Sequence, residues 1–173
     1  MIKFNTLLLM VLSSTAVYSA QNGTLGVSST ASANITFTKH ALVRVSQLDD
    51  FNLNKPSSLR AQVWHDDICV TSTSGAYKVV TYSQKGGGER YKMSNSTATK
   101  SIDYSINFST DSHATEGDAL MPGVESAIYT THYSDGCAGG VNSRVFLSVD
   151  KISLEMADPD EYADVLTFIV HPI

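Results

Sequence analysis

The feature that most limits the fold of this chain is a strict two-residue alternation of apolar and polar side chains over residues 101–109. One face of the extended run carries Ile102, Tyr104, Ile106 and Phe108, and the polar side chains between them occupy the other face. Such a pattern is typical of an antiparallel strand with one face in a core and one in water. The sequence therefore predicts a sheet protein with a hydrophobic interior.

Similar β-rich runs recur along the chain between turn residues, and no window carries a sustained helical stripe. We expect the run over residues 59–72 to break at His65, Asp66 and Asp67, the run from Val145 to change parity at a bulge, and residues 111–123 to form a long loop. These runs together predict a single-domain, all-β antiparallel sandwich over residues 34–173. The first predicted strand is long, covers residues 34–45 and bends near Lys39 and His40. The other predicted strands cover residues 59–72, 76–83, 89–94, 101–109, 127–132, 145–154 and 165–171.

The N-terminus has the character of an export signal. Lys3 supplies a positive charge, residues 4–18 are mainly apolar, and small residues follow at Ser19 and Ala20. We expect residues 1–20 to be a signal peptide, cleaved after Ser19 or Ala20. No later stretch reaches the roughly 18 apolar residues of a membrane helix, so we expect no membrane span in the mature form. Residues 21–33 would then be an N-terminal tail.

Two cysteines, Cys69 and Cys137, are present. Neither belongs to a CxxC motif, and an oxidising compartment outside the cytoplasm would pair them. The sequence therefore predicts one structural disulfide between Cys69 and Cys137.

Charge and motif content disfavour several classes of function. The net charge is −5, which gives no basic excess for nucleic acid. The histidines are scattered, and the acidic residues 158–161 lack the spacing of a calcium loop, so we expect neither a metal nor another cofactor. There is no nucleophile elbow and no phosphate loop, so we expect no enzymatic activity.

A further pattern is the order of short segments spread over residues 24–171. They are residues 35–38, 42–45, 48–53, 68–70, 75–79, 104, 137–140 and 161–170. In the order of these segments the chain resembles the exported, pilin-like subunits of archaic bacterial chaperone–usher fimbriae, which include the spore-coat-U type. This resemblance implies an immunoglobulin-like sandwich without its last strand, which an N-terminal extension of the next subunit replaces.

The resemblance also implies where the strand exchange would occur. In the tail, Leu25 and Val27 are the apolar residues suited to enter a neighbour's pockets. The implied partners are sister subunits, a periplasmic chaperone and an outer-membrane usher, at the periplasm, the cell surface or outside the cell. The acceptor edge would be lined by Val145, Leu147, Val165 and Ile169.

The sequence thus predicts a structural fimbrial or coat-type subunit that assembles at the bacterial cell surface by β-strand addition. The alternative is a monomeric secreted module that binds a glycan or a host surface through residues 111–123. A secreted hydrolase is a third interpretation, without a motif to support it. Aromatic residues that stack on sugars would favour the binding module, although core packing is their commoner role in a sandwich. They are Trp64, Tyr82, Tyr91, Tyr129 and Tyr133.

Overall fold

The computed structural model describes residues 21–53, 61–131 and 135–173. The predicted signal peptide at residues 1–20, His132 and Tyr133 lie outside the described residues. The chain divides between Lys39 and His40 into two units, and the second unit holds the sandwich. The boundary therefore falls six residues beyond the predicted start of the domain at residue 34.

The domain is almost entirely β-structure. Its strands are β1 (Val43–Ser46), β2 (Gln62–Ser72), β3 (Ala76–Ser83), β4 (Lys92–Ser94), β5 (Ser101–Asp103), β6 (Ser105–Ser109), β7 (Asp118–Leu120), β8 (Tyr129–Thr130), β9 (Ser143–Val149) and β10 (Leu166–Pro172). A 3₁₀ helix covers Asp135–Gly139, and one short helix, α1, covers Lys151–Met156.

The strands form antiparallel sheets. The larger sheet has the order β1-β2-β9-β6-β7, and a second sheet has the order β10-β3-β8. β4 and β5 form a separate two-stranded ladder. Register is set by apolar cross-strand partners such as Val45 opposite Val70 and Leu147 opposite Trp64 and Ile106.

The core lies between the two larger sheets, and Phe108 connects them. This fully buried ring of β6 packs against Tyr77, Tyr129 and Phe168, with ring centroids 6.4, 4.9 and 5.6 Å away. Phe108 belongs to the five-stranded sheet, whereas its three partners belong to β3, β8 and β10. The predicted all-β sandwich is confirmed, and its form is consistent with an immunoglobulin-like fold.

The predicted disulfide is also confirmed. Cys69 of β2 is bonded to Cys137 of the 3₁₀ helix, with Cα atoms 6.0 Å apart. Among the residues that the structure describes there is no free cysteine. The disulfide links the 3₁₀ helix that precedes β9 to strand β2 of the larger sheet.

Residues 65–67 do not break a strand, contrary to the prediction. β2 runs through them without interruption, because Asp67 faces Arg144 in the register with β9. Arg144 donates to both carboxylate oxygens of Asp67, so the charge of Asp67 has a partner within the sheet. The cross-strand ion pair is what makes the charged segment compatible with β-structure.

The alternating run 101–109 is two strands rather than one. The ladder is interrupted at Tyr104, so that β5 pairs with β4 while β6 pairs with β9 and β7. The Tyr104 side chain remains buried, and its hydroxyl donates to Asp164 at 2.6 Å. The side-chain alternation continues through the break because both halves place their apolar face in the same core.

Three other predicted segments differ in the structure. The expected bulged strand beyond Val149 is replaced by α1, which Asp150 caps by accepting from the Ser153 amide at 2.7 Å. The expected loop 111–123 contains β7. Residues 34–38 form no strand, and Ile35 and Phe37 are exposed.

Candidate strand-acceptor cleft

One side of the sandwich holds a large cleft of about 890 Å³. One wall is the segment after β1, residues 48–53, and the other is residues 157–166, which lead into β10. We call this space the cleft. Its floor consists of core side chains, namely Trp64, Met93, Ile102, Tyr104, Leu147, Val149 and Leu154.

The first and last strands border the same side of the core. Within the described residues, β1 pairs only with β2, and β10 pairs only with β3. β1 and β10 contact each other but share no ladder, so each has an edge without a partner strand in this part of the chain. Their core-facing residues remain partly exposed: Val43, Val45, Leu166, Phe168 and Val170.

This partial exposure contrasts with the rest of the core. Tyr77 and Val79, on the neighbouring strand β3, are fully buried, whereas Phe168 and Val170 of β10 are only half-buried. Leu166, the first residue of β10, lines the cleft, whereas the residues of β10 that follow it do not. The cleft therefore reaches the start of β10, and it has room there for additional apolar side chains.

A half-buried carboxylate, that of Asp164, holds one wall in place. Asp164 accepts from the hydroxyls of Ser83 and Tyr104, at 2.5 and 2.6 Å, and from the Lys85 amide at 2.8 Å. Burial, together with the adjacent Asp164 carboxylate, raises the pKa of Tyr104 far above its usual value, so this phenol stays protonated. The bonds from Ser83 and Lys85 connect residues 157–166 to the end of β3 and the turn after it, and the bond from Tyr104 connects them to the junction of β5 and β6.

The opposite wall is held in a similar way. The Asp49 amide donates to the Asp66 carboxylate at 2.7 Å, which joins residues 48–53 to β2. Burial raises the pKa of Asp66, and this hydrogen bond partly offsets the rise. The cleft is thus a shaped space between two anchored segments.

Two acidic side chains at the cleft, those of Asp158 and Asp160, interact with other side chains of the domain. Asp160 accepts from the Asn95 amide group at 3.0 Å, which lowers the pKa of Asp160, and Asp158 pairs with Lys100 at 3.2 Å. In the described parts of the chain, no group of three His, Cys, Asp or Glu side chains converges in a way that could hold a metal ion. The polar groups here shape the walls.

The four residues predicted to line the acceptor edge lie in different places. Leu147 and Val165 line the cleft. Val145 is fully buried in β9, which has neighbours on both sides, so Val145 and Leu147 belong to the middle of the sheet and not to its edge. Ile169 lies in β10, whose second edge is unpaired among the described residues.

The N-terminal unit carries four apolar residues that are almost fully exposed. Gln21 and Ser32 form an antiparallel bridge with two backbone hydrogen bonds of 3.1 Å. Leu25 and Val27 lie between the bridged residues, Ile35 and Phe37 follow them, and all four are at least 85% exposed. The sequence analysis identified Leu25 and Val27 as tail residues but assigned Ile35 and Phe37 to a strand of the sandwich. The second assignment differs from the structure because local alternation does not reveal where a strand finds its partner.

No family model and no curated protein matches this chain. It is similar in fold to a chain from a solved structure described as "Chaperone-tip adhesin complex is vital for synergistic activation of CFA/I fimbriae biogenesis". The TM-score is 0.54 at 11% sequence identity, and the match covers 76% of this chain and 41% of that chain. This chain therefore spans about two fifths of the length of its structural neighbour, and the likeness concerns the fold.

Within the described residues no helix combines the length and the apolar character that crossing a bilayer requires. α1, with six residues, is the α-helix that the described part of the domain contains.

Proposed function

We propose that this protein is a subunit of a fimbria-like surface fibre and that it assembles by β-strand addition. The observation that carries the proposal is the open side of the sandwich, where the cleft reaches the start of β10 and where, among the described residues, one edge of β10 has no partner strand. An extended segment laid there would pair with an open edge and place alternate side chains among half-buried apolar residues. The similarity in fold to a chain from a fimbrial complex supports this proposal.

The occupant we propose is the N-terminal unit of a second copy, centred on residues 34–38. Ile35 and Phe37 alternate with threonines, a pattern that suits a strand with one apolar face. Both are exposed, at 96% and 85%, and make no strand in their own chain. Five extended residues span about 17 Å, which matches most of the length of β10.

Leu25 and Val27 offer a second apolar pair in the same tail. They lie between the bridged residues Gln21 and Ser32, so an extended strand through them requires that this bridge opens. We therefore assign the pocket-filling role first to Ile35 and Phe37 and the secondary role to Leu25 and Val27.

The proposed partners would all act on this open side of the sandwich. A periplasmic chaperone would cover the incomplete side before assembly, an outer-membrane usher would exchange it for a sister subunit, and the location would be the periplasm and then the cell surface. The disulfide between Cys69 and Cys137 fits such an oxidising compartment. The export signal proposed for residues 1–20 belongs to this route.

Electrophoresis of the native surface fraction, without reductant and with or without boiling, tests the proposal. A strand held along its whole length resists detergent until it is heated, so the wild type should give a ladder that collapses to one band on boiling. Ile35→Asp with Phe37→Asp should abolish the ladder, because two charges would enter apolar pockets. Thr36→Asp with Thr38→Asp is the matched control, with equal charge on the opposite face of the segment.

The control should keep the ladder. A single monomer band from the wild type in both lanes contradicts assembly by strand addition, and a normal ladder from the Ile35 and Phe37 variant contradicts the choice of donor segment. Adding a synthetic peptide of residues 32–39 to that variant separates the roles of donor and acceptor. The peptide should bind, because the cleft of the variant is unchanged.

A further inference from the structure

Both walls of the cleft are acidic. Among the described residues that line it, six are Asp or Glu, none is Lys, Arg or His, and the floor carries no charge. Two of the six belong to the wall after β1, and four belong to the wall before β10. They are Asp49, Asp50, Asp158, Asp160, Glu161 and Asp164. An apolar space is thus bordered by negative charge.

Three of these six carboxylates are bonded within the domain, those of Asp158, Asp160 and Asp164. The other three side chains are exposed and form no ion pair in the described parts of the chain. We call these three, Asp49, Asp50 and Glu161, the cleft carboxylates. Three unpaired negative charges around one cleft create a negative potential that attracts a cation.

The N-terminal unit carries a charge of the opposite sign. Within residues 21–39 the sequence has one charged side chain, that of Lys39, and this side chain is exposed. Lys39 follows Phe37 by two residues, so in an extended strand it lies on the same face, about 7 Å further along. The ammonium group ends a flexible four-carbon stem, so it can stay at the mouth of the cleft while Phe37 enters it.

We propose that the cleft carboxylates recognise Lys39 of the tail of a second copy, so that the cleft selects an extended apolar segment that ends in a cation. This inference rests on the assembly by strand addition proposed above. It adds the feature that distinguishes the correct donor segment from another apolar strand. Charges at the border of an interface act on selectivity and on the rate of encounter more than on affinity.

The tail itself contains the comparison that shows what Lys39 adds. Leu25 and Val27 also alternate, but the residue that follows Val27 by two positions is Ser29, which is uncharged. An apolar face alone would not separate the two pairs. The cation after Phe37 does separate them, and it favours the segment centred on residues 34–38.

Trp64 supplies the measurement, because it is the one tryptophan of the chain and lies on the floor of the cleft. Its fluorescence reports on an occupant that carries no tryptophan. The acceptor is the mature protein with Ile35→Asp and Phe37→Asp, whose own tail no longer suits the cleft. The probe is a synthetic peptide of residues 32–39, acetylated and amidated at its ends so that Lys39 is its one charge.

At low ionic strength the wild-type peptide should change the fluorescence of Trp64 in a saturable way. Lys39→Gln in the peptide should weaken binding about threefold and Lys39→Glu about tenfold, because exposed charge pairs contribute modestly to affinity. At 1 M salt the Debye length is about 3 Å, so the three peptides should bind with similar affinity. None of these peptide changes affects the folding of the acceptor.

A change of charge in the acceptor locates the effect. Asp50→Lys with Glu161→Lys should remove the preference for lysine, so that the Lys39→Glu peptide binds at least as tightly as the wild-type peptide. Glu89→Lys with Glu116→Lys is the matched control, since both are exposed acidic residues that do not line the cleft. The control should keep the preference for lysine.

The outcomes separate this inference from the proposed function. If the wild-type peptide binds at no salt concentration, strand addition at the cleft is contradicted, and recognition of Lys39 with it. If the wild-type peptide binds but the Lys39→Glu peptide binds equally well at low ionic strength, recognition of Lys39 alone is overturned. It is also overturned if the change at Asp50 and Glu161 keeps the preference, or if the control loses it to the same extent.

Discussion

Arg144 donates from Nε and Nη2 to the two carboxylate oxygens of Asp67, at 2.6 and 3.0 Å, across the pairing of β9 with β2. Its Nη1 donates to the Ala114 carbonyl at 2.8 Å. One side chain thus fixes a charged residue within the large sheet and also positions the segment that precedes β7.

The first prediction concerns this ion pair. Asp67→Asn should lower the free energy of unfolding by about 1 kcal/mol at pH 7, a figure discounted because Asp67 is one-third exposed. Arg144→Ala should lower the free energy of unfolding by a larger amount, because it also removes the hydrogen bond to the Ala114 carbonyl. Urea denaturation of both single variants and of the double variant would measure the coupling between the two side chains.

The same pair gives a pH dependence of known sign. The hydrogen bonds from Arg144 hold the pKa of Asp67 below its ordinary value of 3.8. The stabilisation is therefore fully present well above pH 3.8 and is lost as the pH falls through the lowered pKa. The difference in stability between the wild type and Asp67→Asn should shrink as the pH falls below 3.8, and a difference that does not change with pH would contradict the electrostatic origin.

The second prediction concerns the disulfide, which closes a loop between residues 68 positions apart. Replacing both cysteines by alanine should lower the free energy of unfolding by at most about 4 kcal/mol. The midpoint of urea unfolding would measure this loss. Mass analysis after alkylation should find no reactive thiol in the denatured, unreduced protein and two after reduction, whereas two before reduction would contradict the bridge.

The third prediction concerns Asp164, which accepts three hydrogen bonds at the wall of the cleft. Asp164→Asn replaces one charged acceptor oxygen by a donor that faces the hydroxyls of Ser83 and Tyr104. We expect a loss of about 2 kcal/mol in the free energy of unfolding, measured by urea denaturation. Asp103→Asn, at an exposed position of β5, is the control and should change little.

Much of the fold could be predicted from the sequence, because burial of one sheet face imposes a two-residue period. The strand over residues 76–83 has the predicted bounds, since alternate side chains from Tyr77 to Val79 enter the core. The pairing of Cys69 with Cys137 could be predicted because the chain has two cysteines and because its export signal indicates an oxidising compartment. Each of these features depends on local pattern or on composition.

The errors arose where a distant partner decides the structure. Residues 65–67 remain β-structure because Arg144, far away in sequence, pairs with Asp67. The strand pattern at Ile35 and Phe37 has no partner strand among the described residues of its own chain, and the cleft depends on which strands lie at the edges. One error has a local cause instead: Ile152 and Leu154 lie in α1 because the neighbouring Asp150 caps a helix there.

The bond between Cys69 and Cys137 joins β2 to the 3₁₀ helix that precedes β9, and β2 and β9 are neighbours in the larger sheet. The bond therefore restrains the connection that leads into the first residues of β9. A reductant would release this connection without removing any backbone hydrogen bond of the ladder between β2 and β9.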